Sequence, residues 1–317
     1  MRAAILREHG ACPEVGDFEE PGPNEGGEVI DVLAAGLNPV DIALASGTFY
    51  AGPPPLPSVV GKEGVGRTAG GDRVYFDTPV APYGSVAERV KADAEALFPV
   101  PEDGVADELV VAFGIAGLAA WLSLERAEVQ EGETVLVLGA SGVVGQIAVQ
   151  AAKLLGAGRV VAAARDEEGL TRAGELGADA AVKLDSAHNL EEAFREATVG
   201  GADVIIDPLW GEPAVAAFQA SAKGARLVQI GQSAGAEATL ASAAVRGQAR
   251  SILGHSNFAV PVGTRRAAFT RMVRHSAAGE LTAGVETVAL EDAAAAWERQ
   301  REGPKTKLVI VPGQGSL

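Results

Sequence analysis

Between residues 134 and 231, short apolar runs alternate with longer segments that carry a single apolar stripe. The runs are TVLVLG at 134–139, RVVAAA at 159–164, DVIID at 203–207 and RLVQIG at 226–231. Each is short and rich in Val, Leu, Ile or Ala, the pattern of a strand covered on both faces. The segments between them, VVGQIAVQAAKLLG, EEGLTRAGELG, NLEEAFREAT and PAVAAFQASAK, have helical length and one apolar face. Alternation at this spacing predicts right-handed βαβ crossovers, hence an α/β fold with a doubly wound parallel sheet and helices on both faces.

The flanking sequence has another texture. In the first hundred residues PPPLP at 53–57 and GG at 70–71 punctuate short alternating segments such as 28–33 and 72–76, which predicts a β-rich, partly barrel-like unit. DELVVAFGIAGLAAWLSL at 107–124 predicts one long apolar helical stretch, and KTKLVIVP at 305–312 a last strand. These changes of texture fall near residues 107 and 255. No internal repeat or low-complexity linker interrupts them.

Composition narrows the chemistry. The 317 residues include 42 acidic and 26 basic side chains, a formal charge of −16, so no nucleic acid or anionic membrane surface is expected as a partner, because both demand a basic footprint. No apolar run reaches the roughly 18 residues that a membrane span needs, and the opening MRAAILREHG lacks a secretory pattern, so a cytoplasmic location is expected. The single cysteine, Cys12, leaves no intramolecular disulfide. His9, His188, His255 and His275 are dispersed without ligand spacing, so no metal centre is expected.

The most informative motif is the run TVLVLGASGVVG at 134–145, followed at once by a helical segment. A buried strand feeding a glycine turn and a helix gathers backbone N–H groups and the positive helix end at one point, where a pyrophosphate can sit. Gly139 serves the tight turn, Gly142 the approach of the phosphate and Gly145 the close packing of helix on strand. Ser141, Val143 and Val144 complete the expected cofactor loop. The spacing is G-x-x-G-x-x-G rather than the commoner G-x-G-x-x-G. The second run ends on Ala164 and is followed by Arg165, where an NAD-specific fold places an acid against the ribose. A guanidinium there suits the 2′-phosphate, which favours NADPH; the alternative is a solvated Arg165 with Asp166 on the ribose.

Taken in order, EPGPNEGGEVIDVLAAGLNPVDIALASG, LPSVVGKEGVG, GGDRVYF, YGSVAERV, GIAGLAAWLSL, GASGVVG, GADAAV, GADVIIDPLWG, LVQIG and KLVIV resemble the zinc-independent medium-chain dehydrogenases/reductases of the quinone oxidoreductase, zeta-crystallin-like, type. The resemblance implies a GroES-like catalytic domain made of residues 1–106 and 256–317, a Rossmann domain of residues 107–255 inserted in it with the cofactor in the cleft between them, and a homodimer. It also implies cofactor contacts at Gly231 and at Asn257, within the segment GHSNF.

Zinc-dependent relatives carry Cys, His and Cys where this chain has Asn38, Lys62 and about Ile115, and the four-Cys structural lobe is absent as well. Asn38 is a candidate to hold a substrate oxygen. For Lys62 two readings stand: a structural pair with Asp41 and Glu63, which we favour, or an ammonium that polarises a substrate carbonyl. Tyr50 is a candidate phenol at the substrate, with Phe49 as the alternative and an aromatic closing a Pro-rich loop as the plain reading. Trp121 reads as core, and His255 as a minor general-acid candidate. The expected function is reduction of quinones or other α,β-unsaturated carbonyls by NADPH without zinc. The competing class is a weakly catalytic dinucleotide-binding sensor or structural protein.

Overall fold

The computed structural model describes residues 1–22, 27–50, 52–101, 104–185 and 189–313; His188 and the PNEG part of the first family segment lie outside them. The chain divides into two compact units, Met1–Ala116 with Phe269–Leu317, and Gly117–Ala268.

In chain order the first unit begins with β1 (Arg2–Leu6), β2 (Glu14–Asp17), β3 (Glu28–Gly36), α1 (Pro39–Ala45), β4 (Ser58–Val59), β5 (Glu63–Thr68), β6 (Arg73–Phe76), β7 (Arg89–Ala92), β8 (Phe98–Pro99) and α2 (Asp107–Ala112). Helix α3 (Ile115–Arg126) carries the chain into the second unit. There follow β9 (Thr134–Leu138), α4 (Val143–Leu154), β10 (Arg159–Ala164), α5 (Glu167–Glu175), β11 (Ala180–Lys183), α6 (Leu190–Ala197), β12 (Val204–Asp207), α7 (Gly211–Ala220), β13 (Arg226–Gln229), α8 (Ser242–Arg246) and β14 (Ser251–Gly254). Helix α9 (Val262–Ala277) leads back to β15 (Val285–Ala289), α10 (Ala293–Glu302) and β16 (Lys307–Val311).

The second unit is a six-stranded, all-parallel sheet in the order β11-β10-β9-β12-β13-β14. Strand order reverses between β9 and β12, and ligands of such sheets bind beyond the carboxyl ends of the strands at that point. Leu136, Val161, Ile205 and Leu227 pack with Phe194 and Phe218 from α6 and α7, so apolar runs and helical stripes meet as their periods require. Two strands, β11 and β14, exceed the four read from apolar runs. They are the two edges of the sheet, and AAVK and SILG alternate or expose their side chains instead of forming a buried run.

The first unit pairs β15-β16-β3-β5-β6-β8 in one mixed sheet, with β7 also on β3, and holds a small antiparallel sheet β2-β1-β4. Leu6, Ile30, Phe76, Val90, Trp297 and Leu308 belong to its core. The stretch at 107–124 is two helices rather than one. The break falls at Phe113 and Gly114, and Gly114 passes so close to the Glu63 carboxylate and the Tyr75 ring that a side chain there would run into them. Helix α2 packs on β3 and β5 and Asp107 pairs with Arg73 at 2.6 Å, which ties residues 107–116 to the first unit. The boundary in the chain therefore falls in α3, later than the change of texture at 107; on the return it falls within α9. No helix among the described residues is long and apolar enough to cross a membrane.

Candidate functional site

Two groups of residues concentrate the chemistry, one in each unit. In the second unit β9 ends at Leu138 and Gly139 turns the chain with φ +65°, a conformation open to glycine at little cost. Gly142 is the N-cap of α4, and no side chain caps that helix. A side chain at Gly145 would strike the Gly139 carbonyl and Ala140, so helix and turn are in backbone contact. At Gly142 an added Cβ would meet only the Gly139 carbonyl at 3.6 Å, leaving open space in front of the turn. Ser141 accepts from Gln146 Nε2 at 2.9 Å through its carbonyl, and Val143 and Val144 are half-buried at the helix start. The arrangement leaves the backbone N–H groups of the first turn of α4 without a side-chain cap, and helix N-termini of this kind attract anionic groups.

Three further strand ends border the carboxyl edge of the same sheet. Arg165 is exposed directly after β10. Asp166 uses Oδ1 to accept from Gly169 N at 2.7 Å, capping α5. After β12, Asp207 is fully buried and accepts from the Leu209 and Trp210 N–H groups, both at 2.9 Å, through Oδ1. Its Oδ2 has no hydrogen-bond partner among the described residues, and burial pushes the acid up to about 6 against the opposing pull of those two amides. Gly231, after β13, lies where a side chain would be 2.6 Å from the Pro208 carbonyl, so it admits the β12–α7 turn. Asn257 is buried and its Oδ1 lies 3.0 Å from His255 Nε2; burial chiefly holds His255 below its ordinary value.

The first unit gathers the positions where zinc enzymes bind metal. Asn38 precedes α1, its N–H donating to Asp41 Oδ2 at 2.7 Å, and Pro39 starts the helix. Asn38 Nδ2 donates to Glu63 Oε1 at 2.8 Å, and Lys307 Nζ donates to the same oxygen at 2.5 Å and to Asn38 Oδ1 at 2.6 Å. Glu63 Oε2 accepts from the Tyr75 hydroxyl at 2.7 Å and from Ile115 N at 2.6 Å. A fully buried carboxylate thus has four donors. Asp41 is pushed up to about 7, chiefly by burial; Lys307 pulls it down, Glu63 raises it and the Asn38 amides oppose.

The expected pairing of Lys62 with Asp41 and Glu63 is corrected here: the cation on Glu63 is Lys307. Lys62 lies in the bend before β5, half-buried in the wall of a cavity that Asp41 also lines, whereas Glu63, the first residue of β5, is fully buried. Tyr50 is 76% exposed, its ring against Phe49 with centroids 4.1 Å apart. Trp121 is buried and donates to Glu125 at 2.8 Å. Sequence reasoning missed Lys307, Tyr75 and Asp207. A lysine opening a buried apolar strand is a signal for the first, since such a charge requires a partner.

The zinc-binding dehydrogenase family matches residues 143–274. The quinone oxidoreductase of Rattus norvegicus is 31% identical over 246 residues, which are 73% of this chain and 73% of the rat protein. The chain belongs to the quinone oxidoreductase type of the medium-chain dehydrogenases/reductases. Another family relative is a segment of a much larger protein: a phenolphthiocerol/phthiocerol polyketide synthase of Mycobacterium tuberculosis, 32% identical over 301 residues, 91% of this chain. The chain spans 14% of that protein's length. The quinone oxidoreductase of Thermus thermophilus, solved also with NADPH, aligns with TM-score 0.80 and 29% identity over 98% of this chain and all of that one. An NAD-dependent alcohol dehydrogenase aligns with TM-score 0.87 and 29% identity over 99% of this chain and all of that one. Family likeness therefore includes proteins named for either nicotinamide cofactor. The matched segment begins at the first residue of α4, directly after the glycine turn.

Proposed function

We propose that this member of the family is an NADPH-dependent oxidoreductase that reduces quinones or other α,β-unsaturated carbonyls without zinc. The observation that carries the reading is the uncapped N-terminus of α4 behind Gly142, at the point where the order of the parallel strands reverses. Gly139, Ser141, Gly142, Val143, Val144 and Gly145 would hold the pyrophosphate, with Gly231 and Asn257 as further contacts. The bound cofactor would supply the hydride. Asp166 already spends an oxygen on the α5 cap, which favours Arg165 as the group that meets the adenosine end and, through a 2′-phosphate, NADPH.

The donors present disfavour zinc. Asn38, Lys62 and Ile115 offer an amide, an ammonium and an aliphatic side chain, a poor set for Zn²⁺, and Glu63 beside them is saturated by four hydrogen bonds. The Asn38 amide and Lys62 are the polar groups we assign to substrate, with Tyr50 a less central candidate because of its exposure. We also propose a homodimer: β14 closes one edge of the six-stranded sheet, its outer edge has no partner strand among the described residues, and Ile252 on it is 38% exposed. Steady-state oxidation of NADPH and NADH against a panel of quinones and enones tests the activity. A protein that binds NADPH but consumes it with none of them would overturn the reading.

A further inference from the structure

A cavity of about 220 Å³ lies wholly within the first unit, between α1, the end of β1, β4 and the Pro-rich segment after α1. Leu6, Leu44, Val60 and Tyr83 supply apolar surface, and Asp41 and Lys62 are its charged members. Asp41 is 3% exposed, and its Oδ1 has no hydrogen-bond partner among the described residues although Oδ2 is held by Asn38. A buried acceptor left in that state is unusual, because the folded chain gives it nothing in exchange for the water it lost.

We propose that this cavity receives the carbonyl end of a compact, uncharged molecule of one ring or a short chain, whose oxygen hydrogen-bonds the Asp41 carboxyl. Naming that molecule as the quinone or enone acceptor rests on the function proposed above. The walls select an uncharged ligand: among Leu6, Leu44, Val60 and Tyr83 a charged group would lose its hydration with little in return. The size selects a compact one, since drug-sized ligands occupy pockets of roughly 300 to 1,000 Å³. Apolar walls with one or two convergent polar groups are what such a ligand needs. Burial keeps Asp41 substantially protonated near neutral pH, and a protonated carboxyl can donate to a carbonyl oxygen where a carboxylate cannot.

The test uses 2-cyclohexen-1-one as the probe on the whole protein, and Leu44→Trp to fill the cavity from its half-buried wall. Binding of the probe is followed by ligand-observed NMR, and amide shifts of the wild type locate it independently of any variant. The expected result is shifts concentrated in α1 and residues 58–62. Leu44→Trp is expected to weaken binding at least tenfold and to raise KM for p-benzoquinone similarly, with NADPH affinity unchanged. Asp41→Leu should weaken the probe as well. Shifts confined to other regions, or a folded Leu44→Trp protein that binds the probe and turns over p-benzoquinone as before, would overturn the inference while leaving the proposed reductase standing. A wild type that reduces no quinone or enone but binds the probe in this cavity would overturn the reductase and support the site.

Discussion

Lys307, the first residue of the last strand, donates at 2.5 Å to Glu63 Oε1, a residue 244 positions earlier, and both side chains are almost wholly buried. Asn38 bridges the pair, and Gly36 makes room for it: a side chain at Gly36 would lie 2.6 Å from Lys307 Cε. Removing one partner of such a pair leaves an uncompensated charge in a poorly solvated place, which typically costs about 3–5 kcal/mol. Lys307→Met should destabilise the protein by that order in urea unfolding, and Glu63→Gln in the same chain should recover part of it. Lys62→Met should cost distinctly less, since Lys62 is not the cation on Glu63.

What the sequence made legible and what it hid follow one physical division. The parallel sheet could be read because the middles of β9, β10, β12 and β13 are buried and carry short apolar runs, with polar residues only at the strand ends. The edge strands β11 and β14 could not, since their exposed positions erase the run. The glycine turn was legible because its constraints are local: the positive φ of Gly139 and the backbone contact at Gly145 leave a trace in residue type. The Glu63 cluster draws on Asn38, Tyr75, Ile115 and Lys307, which only the tertiary fold brings together, and the close approach of Gly114 to Glu63 and Tyr75 likewise involves residues far away in sequence. Lys62 stands where zinc-dependent relatives carry a metal-binding His, and that equivalence, rather than any spacing, pointed to it as the partner of Asp41 and Glu63.

Arg165 is exposed and follows the second strand of the sheet, so its replacement should alter ligand binding with little effect on folding. Arg165→Ala is expected to weaken NADPH roughly tenfold or more, the loss of a charge-assisted contact to phosphate, while NADH affinity changes little. Fluorescence titration of both cofactors measures it. An unchanged preference would remove Arg165 from the 2′-phosphate.

Gly142 and Gly145 should separate folding from cofactor binding. Alanine at Gly145 meets the Gly139 carbonyl and Ala140, so Gly145→Ala should lower both the melting temperature and NADPH affinity. Gly142 has φ −79° and ψ 165°, which any residue adopts, and open space beyond it. Gly142→Ala should melt within a few degrees of the wild type yet bind NADPH at least tenfold more weakly. Normal binding by a folded Gly142→Ala protein would count against a pyrophosphate at the start of α4.

The donors around Asn38 and Glu63 lead to an expectation for metal analysis. Purified protein should hold far less than one zinc per chain after dialysis, and NADPH-dependent activity should survive chelator. Stoichiometric zinc retained through dialysis would show that another set of ligands had been overlooked and would end the zinc-free reading.

The two raised carboxyls give the stability a definite dependence on pH. Asp41 is pushed up to about 7 and Asp207 to about 6, each from an ordinary value of 3.8, and burial is the main cause for both. Between pH 4 and pH 7 the folded chain therefore binds more protons at these residues than the unfolded chain does. Their contribution favours the fold fully below about pH 4 and is lost as pH rises through 6 and 7. Carboxylates and histidines elsewhere superimpose their own slopes, so the informative quantity is the difference from a variant. Asp41→Asn keeps an acceptor for the Asn38 N–H and cannot ionise; measured by urea unfolding at pH 5.5 and pH 8, it should gain stability relative to the wild type on going to the higher pH. Asp207→Asn should show the same sign, with its change centred about one pH unit lower. A pH-independent difference for Asp41→Asn would mean that Lys307 keeps Asp41 ionised across the range, and that its buried Oδ1 carries a full negative charge.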